Sequence, residues 1–133
     1  MRIMRNKPAN ARAAAKEESH ERIVRAAARA IRRSGYDGTG VADIMKEAGL
    51  THGAFYAHFA SREAMLAEAA DRAGAESNAF AARVIAAAPP EQSLQALMHA
   101  YLSEEHLASL ETGCPVSALG SAMPRQAPEL RRA

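Results

Sequence analysis

The sequence predicts an all-α protein, and three observations carry that prediction. Ala supplies 33 of the 133 residues, and Ala is the strongest helix former. Aromatic residues make up only 5% and Trp is absent, which leaves little of the bulk that β-sandwiches and barrels pack. Gly and Pro fall at the ends of apolar-periodic stretches, at Gly35, Gly49, Pro89-Pro90 and Gly113-Cys114-Pro115, so the chain divides into helices joined by short breaks.

Residues 1–16 contain Arg2, Arg5, Lys7, Arg12 and Lys16 and no acid, with Pro8 among them. This composition predicts a disordered basic arm in preference to a transit peptide. The first helix is expected from about Glu17 or Ser19 to Ser34. Ile23, Ala27, Ala30 and Ile31 form its apolar face, and Arg22, Arg25, Arg29, Arg32 and Arg33 fill much of the rest. Gly35 stands at the left-handed cap position, and Tyr36 follows as a core plug. A short second helix, Val41 to Ala48, is capped by Thr39 or Gly40 and points Ile44 and Ala48 inward. Gly49 turns the chain. Thr51 begins a third helix, Leu50 and Phe55 form a hydrophobic staple across its start, and Phe55 and Phe59 form its buried stripe.

Ser61 caps a long fourth helix, Arg62 toward Ala88, with Met65, Leu66, Ala69, Ala73, Phe80 and Val84 as its apolar side. The two prolines end it. A fifth helix is expected from Glu91 to about Leu110, and a sixth, short one over Val116–Met123.

Charge separates along the chain although the net is only +2. Residues 1–62 hold 12 Lys and Arg against 6 acids, whereas residues 63–133 hold 5 against 9. A basic N-terminal half is the footprint of a polyanion-binding module. Two short helices about a glycine turn, over residues 40–59, make a helix-turn-helix. Thr51, His52, Gly53, Ala54, Tyr56 and His58 lie at the start and outer side of its second helix. They are small residues or hydrogen-bonding rings, suited to the floor of a major groove.

The same stretch resembles the tetracycline-repressor (TetR) family of bacterial transcriptional regulators. The residues that carry the resemblance begin with Gly35-Tyr36, Thr39, Val41, Ile44 and the turn Ala48-Gly49-Leu50. They continue through Thr51-His52-Gly53-Ala54, Phe55-Tyr56-Ala57-His58-Phe59 and Ser61-Arg62-Glu63. The resemblance covers about residues 17–75. It implies a three-helix DNA-binding domain at 17–75 and a partial helical ligand-binding and dimerisation domain at 76–133. It further implies a cytoplasmic homodimeric repressor released from operator DNA by a small-molecule effector. Transferred by position, His52, Gly53 and Ala54 face bases. Thr51, Tyr56, His58 and Arg62 hold phosphates, and Thr39 contacts the backbone at the start of the second helix. Gly40 and His52 depart from the pattern, which favours a Ser or Thr cap and a Lys or Arg there. Family members are considerably longer, and late helices usually build their dimer interface. This chain is therefore expected to be monomeric or to expose apolar surface.

For the effector pocket the resemblance leaves Met98, Tyr101, Leu102 and Cys114 as candidates, each of which also reads as ordinary core or turn. His99 and His106 share a helix face, but no Cys or carboxylate set completes a metal site, so neither metal nor cofactor is expected. The sequence holds no phosphate-cradling glycine loop, nucleophile elbow or Cys–His dyad, which argues against an enzyme. It has no apolar run of about 20 residues and no secretory signal, and one cysteine fits a reducing compartment. The competing reading is a truncated helical interaction module without effector response.

Overall fold

The computed structural model describes residues 7–133. All regular structure among them is helical: α1 (Lys7–Ser34), α2 (Val41–Glu47), a 3₁₀ helix (His52–Ala57), α3 (Arg62–Ala87), α4 (Ser93–Tyr101), α5 (Glu104–Ala108), α6 (Pro115–Leu119) and α7 (Pro128–Arg131). Single 3₁₀ turns at Pro90–Gln92 and Met123–Arg125 connect the later helices.

The core forms where α1 and α3 pack against each other and α2 and the 3₁₀ helix close one end. Ile23, Ala27, Ala30 and Ile31 face Met65, Leu66, Ala69 and Ala73, and Ile44, Met45, Phe55 and Phe59 complete the interior. The alanines at the crossing let the two long helices approach closely. Tyr36 is 1% exposed and plugs the junction as expected. Burial raises its phenol pKa, and its hydroxyl has no hydrogen-bond partner. At the far side Leu119 of α6 and Leu130 of α7 seal the same core.

Two glycines adopt the left-handed conformation that the breaks require: Gly35 at φ 73° and Gly49 at φ 74°. Ser61 caps α3 by accepting the Ala64 N–H at 3.1 Å. Gly40 occupies the cap position of α2 and offers no side chain. The Thr39 hydroxyl instead donates to the Gly35 carbonyl at 2.6 Å, locking the turn.

Four boundaries differ from expectation. α1 begins at Lys7, so the part of the 1–16 arm that is described is helical, its Ala-rich run extending the helix outward; residues 1–6 lie outside the described residues. The third helix winds as a 3₁₀ helix. The fifth expected helix is two, α4 and α5. Between them Ser103 turns extended, donates to the Ala100 carbonyl at 2.8 Å and accepts the His106 N–H at 3.1 Å, ending one helix and capping the next. The sixth helix closes at Leu119, four residues early. The lower part of α3 together with α4 and α5 leaves Phe80, Ile85, Leu94, Leu102, Leu107 and Leu110 exposed.

Candidate nucleic-acid interface

The helix-turn-helix is built from α2, the turn at Gly49 and the 3₁₀ helix. Phe55 and Phe59 anchor the second element from beneath, with ring centroids 5.6 Å apart. That anchoring turns the opposite side outward. Thr51, His52 and Gly53 are exposed, Ala54 is half-buried, and the Tyr56 ring is 73% exposed. No Cβ neighbour lies within 4 Å of the Gly53 position, so backbone is available for close approach. Thr51 holds the cap position, but its hydroxyl makes no capping bond and stays free for another acceptor or donor. A protruding ridge of small residues flanked by rings fits a major groove, where base edges are read by close contact.

Three candidates stand elsewhere than the sequence placed them. Thr39, expected at the DNA backbone, is 4% exposed and spends its hydroxyl on Gly35. Arg62, expected on a phosphate, turns inward: its Nη2 donates to the carbonyls of Tyr36 and of Thr39, the latter at 3.0 Å. It thus ties the start of α3 to the α1–α2 connection. His58 is half-buried, and its Nδ1 is buried without a partner. Burial, then the facing His20 and Lys16, holds its imidazole below the ordinary histidine value, so it brings no charge to a phosphate near neutral pH.

The basic character of α1 is also partly internal. Arg32, expected on the solvent face, is 5% exposed. Its Nε donates to the Ala28 carbonyl at 2.9 Å and its Nη2 pairs with Glu76 at 2.7 Å. Arg22 donates to the Ala48 carbonyl, which steadies the turn before the 3₁₀ helix. Arg33 pairs with Glu47 and Glu111, and Arg72 of α3 grips Glu21 through two bonds. The pairing with Arg72 holds the Glu21 carboxyl below its ordinary value. Apart from the Ala28 carbonyl, one turn before Arg32, sequence reasoning missed these partners because each joins residues 14 to 78 positions apart. A run of arginines at mixed helical phase was the available signal.

The four pocket candidates do not share one site. Met98 and Leu102 lie along an open groove with Leu94 and His99. Tyr101 lies on another side of α4, its ring 4.7 Å from His106. The Cys114 N–H donates to His106 Nε2 at 3.2 Å. Burial pushes the Cys114 thiol up, but bonds from the Ser117 and Val116 backbone and the Ser117 and Tyr101 hydroxyls outweigh it and hold the thiol below its ordinary value. A separate cleft of about 500 Å³ opens between α3 and the α4–α5 pair, lined by Glu76, Phe80, Arg83, Ser103, His106 and Thr112. Among the described residues no group of three His, Cys, Asp or Glu side chains is arranged to hold a metal ion, and no helix is long and apolar enough to cross a membrane.

Residues 23–69 match the family model for bacterial regulatory proteins of the tetR family. Over these residues the chain is similar to the TetR-family DNA-binding domain. The match spans the elements just described, from Ile23 in the core of α1 to Ala69 in α3. A curated relative, an uncharacterized HTH-type transcriptional regulator, YerO, of Bacillus subtilis (strain 168), is 39% identical over 54 residues. That alignment takes in 41% of this chain and 19% of the relative. The chain thus spans about a fifth of the length of the curated relative it matches.

Proposed function

We propose that the chain binds operator DNA through the ridge from Thr51 to Tyr56 and represses transcription until a small-molecule effector releases it. One observation carries the reading. The element that holds Thr51, His52, Gly53 and Tyr56 outward is fixed by two buried phenylalanines, so the ridge is presented as a rigid surface. His52, Gly53 and Ala54 read base edges, and Thr51 and Tyr56 supply hydrogen bonds to phosphates, which position without specifying. Two such units on a palindromic site is the assembly expected of the family. The exposed apolar side chains of α4 and α5 give the later part of the chain a surface that needs cover, in a dimer or otherwise.

The effector reading moves from the four sequence candidates to the cleft between α3 and α4–α5. Phe80 offers an apolar wall, Arg83 a cation, Glu105 a carboxylate, and Ser103 and Thr112 hydroxyls, which suits a small ligand with both apolar and polar groups. Glu76 lines the same cleft and holds Arg32 in α1, so a ligand there meets a group that is bonded to the DNA-binding domain.

Selection of duplexes from a random pool, followed by affinity measurement against salt, tests the proposal. A palindromic consensus with salt-dependent binding supports operator recognition by two copies. Recovery of no preferred sequence, with no salt-dependent binding, favours the interaction-module reading.

A further inference from the structure

Three elements meet behind the recognition ridge. His58 caps the 3₁₀ helix there, and its backbone N–H and that of Phe59 both bond the Phe55 carbonyl, at 2.9 and 3.1 Å. From α1, the His20 ring stacks on Phe59 with centroids 4.7 Å apart and lies 5.6 Å from the His58 ring. From α3, Glu68 Oε2 lies 2.7 Å from His20 Nε2. The charged and titratable groups facing His58 are therefore His20 and Lys16 of α1, with Glu68 of α3 acting through His20. The chain-terminal turn of the recognition element thus rests on two imidazoles, and only one of them has an acid beside it.

We propose that His20 is a positioning residue for the recognition element and that, with His58 and Glu68, it makes DNA docking sensitive to mild acid. Neutral His58 fits its seat. A proton on His58 places a charge on a ring whose Nδ1 is buried and unmatched, beside Lys16 and the His20 ring. No carboxylate faces His58 directly to offset that charge. The relief is for the turn that carries His58 to open, which breaks the backbone bonds of His58 and Phe59 to the Phe55 carbonyl and loosens Phe59 from its place on His20. The sign follows from linkage. A histidine whose folded pKa is depressed binds more protons when released, so the seated state loses stability as pH falls through about 6.5, the ordinary histidine value, and below. The inference about DNA rests on the proposed docking of the Thr51–Tyr56 ridge.

The test uses the full chain and two readouts. Without DNA, histidine ring signals and amide exchange at His58 and Phe59 are followed by NMR from pH 7.5 to 5.5, with intrinsic exchange rates corrected. His58 is expected to titrate below the ordinary histidine value and the two amides to lose protection together with it. With duplexes recovered from a random pool at pH 7.5, the dissociation constant is expected to rise several-fold as the pH falls over the same range. An affinity that rises or stays flat as the pH falls overturns the proposal. His20→Phe keeps the stack on Phe59 but carries no proton. It should raise the His58 midpoint and leave a clearly smaller loss of affinity over the same pH range than the parent shows. Glu68→Gln, which keeps both rings, should reduce protection at Phe59 already at pH 7.5. A role in stability alone would lower binding in these variants equally at every pH. An unchanged His58 titration in His20→Phe, or protection in the parent that is independent of pH, refutes the latch. If no duplex is recovered, the DNA reading fails, and the ring and amide signals alone decide the latch.

Discussion

Arg62→Ala separates a structural arginine from a phosphate contact. Its Nη2 donates to two backbone carbonyls, those of Tyr36 and Thr39, across the connection between α1 and α2. Both residues are buried, so neither carbonyl gains water freely when the guanidinium is removed. A hydrogen bond from a charged donor contributes about 1.5–3 kcal/mol. The side chain is 35% exposed, so part of each bond is replaced by solvent, and the two together should cost about 2 kcal/mol. With a urea slope of about 1–3 kcal/mol per molar, the unfolding midpoint should fall by roughly 1 M. The connection sets where α2 and the ridge sit, so DNA affinity should fall on every sequence while the slope of log affinity against log salt stays the same. A bonded phosphate contact would behave in the opposite way. An unchanged urea midpoint together with a slope shallower by about one would put the guanidinium on DNA and refute this reasoning.

Other substitutions probe the turn, the ridge and the ion pairs. Gly49→Ala should destabilise by about 2 kcal/mol in urea unfolding, since a Cβ there meets Arg22 Nη2 at 2.6 Å on top of the left-handed strain. Gly35→Ala, at nearly the same φ with no neighbour within 4 Å, should cost only about 1 kcal/mol, and equal losses at the two sites would contradict the role given to Arg22. His52→Ala should weaken binding to a selected duplex by about 1–3 kcal/mol and to random DNA far less; parallel losses with a shallower salt slope would make His52 a backbone contact. Glu21→Gln should cost below about 1 kcal/mol at pH 7, because its pair with Arg72 is solvent-exposed on both sides. The folded Glu21 pKa is depressed, so this contribution is present above the unfolded value of about 4.3 and disappears as pH falls through the folded one. Parent and variant should therefore converge in stability once the pH is below the folded Glu21 pKa, and a gap that persists there would mean the loss is one of packing.

The sequence by itself determined that the chain is helical, where α1 and α2 end, where α3 begins and ends, and which residues form the ridge. Those features depend on neighbours within about four residues: the spacing of Ile23, Ala27 and Ile31, the left-handed glycines at 35 and 49, the Ser61 cap, and the Phe55–Phe59 stripe. Local pattern is enough for them because a helix face and its caps are fixed by residues one turn apart. The outward placement of Thr51, His52, Gly53 and Tyr56 follows from the same stripe. Tertiary structure alone decided what the polar side chains do. Arg62 at the head of α3 reads from sequence as a free cation on the DNA side, but the chain folds two carbonyls, 23 and 26 residues away, into its reach. Arg32 looks exposed by local pattern and is buried because Glu76 of α3 supplies its partner. His58 takes its character from His20 and Lys16, which a helix 38 residues earlier carries to it. The desolvation and pairing that set the charge and reach of these groups arise only where separate helices meet, and no local spacing records them.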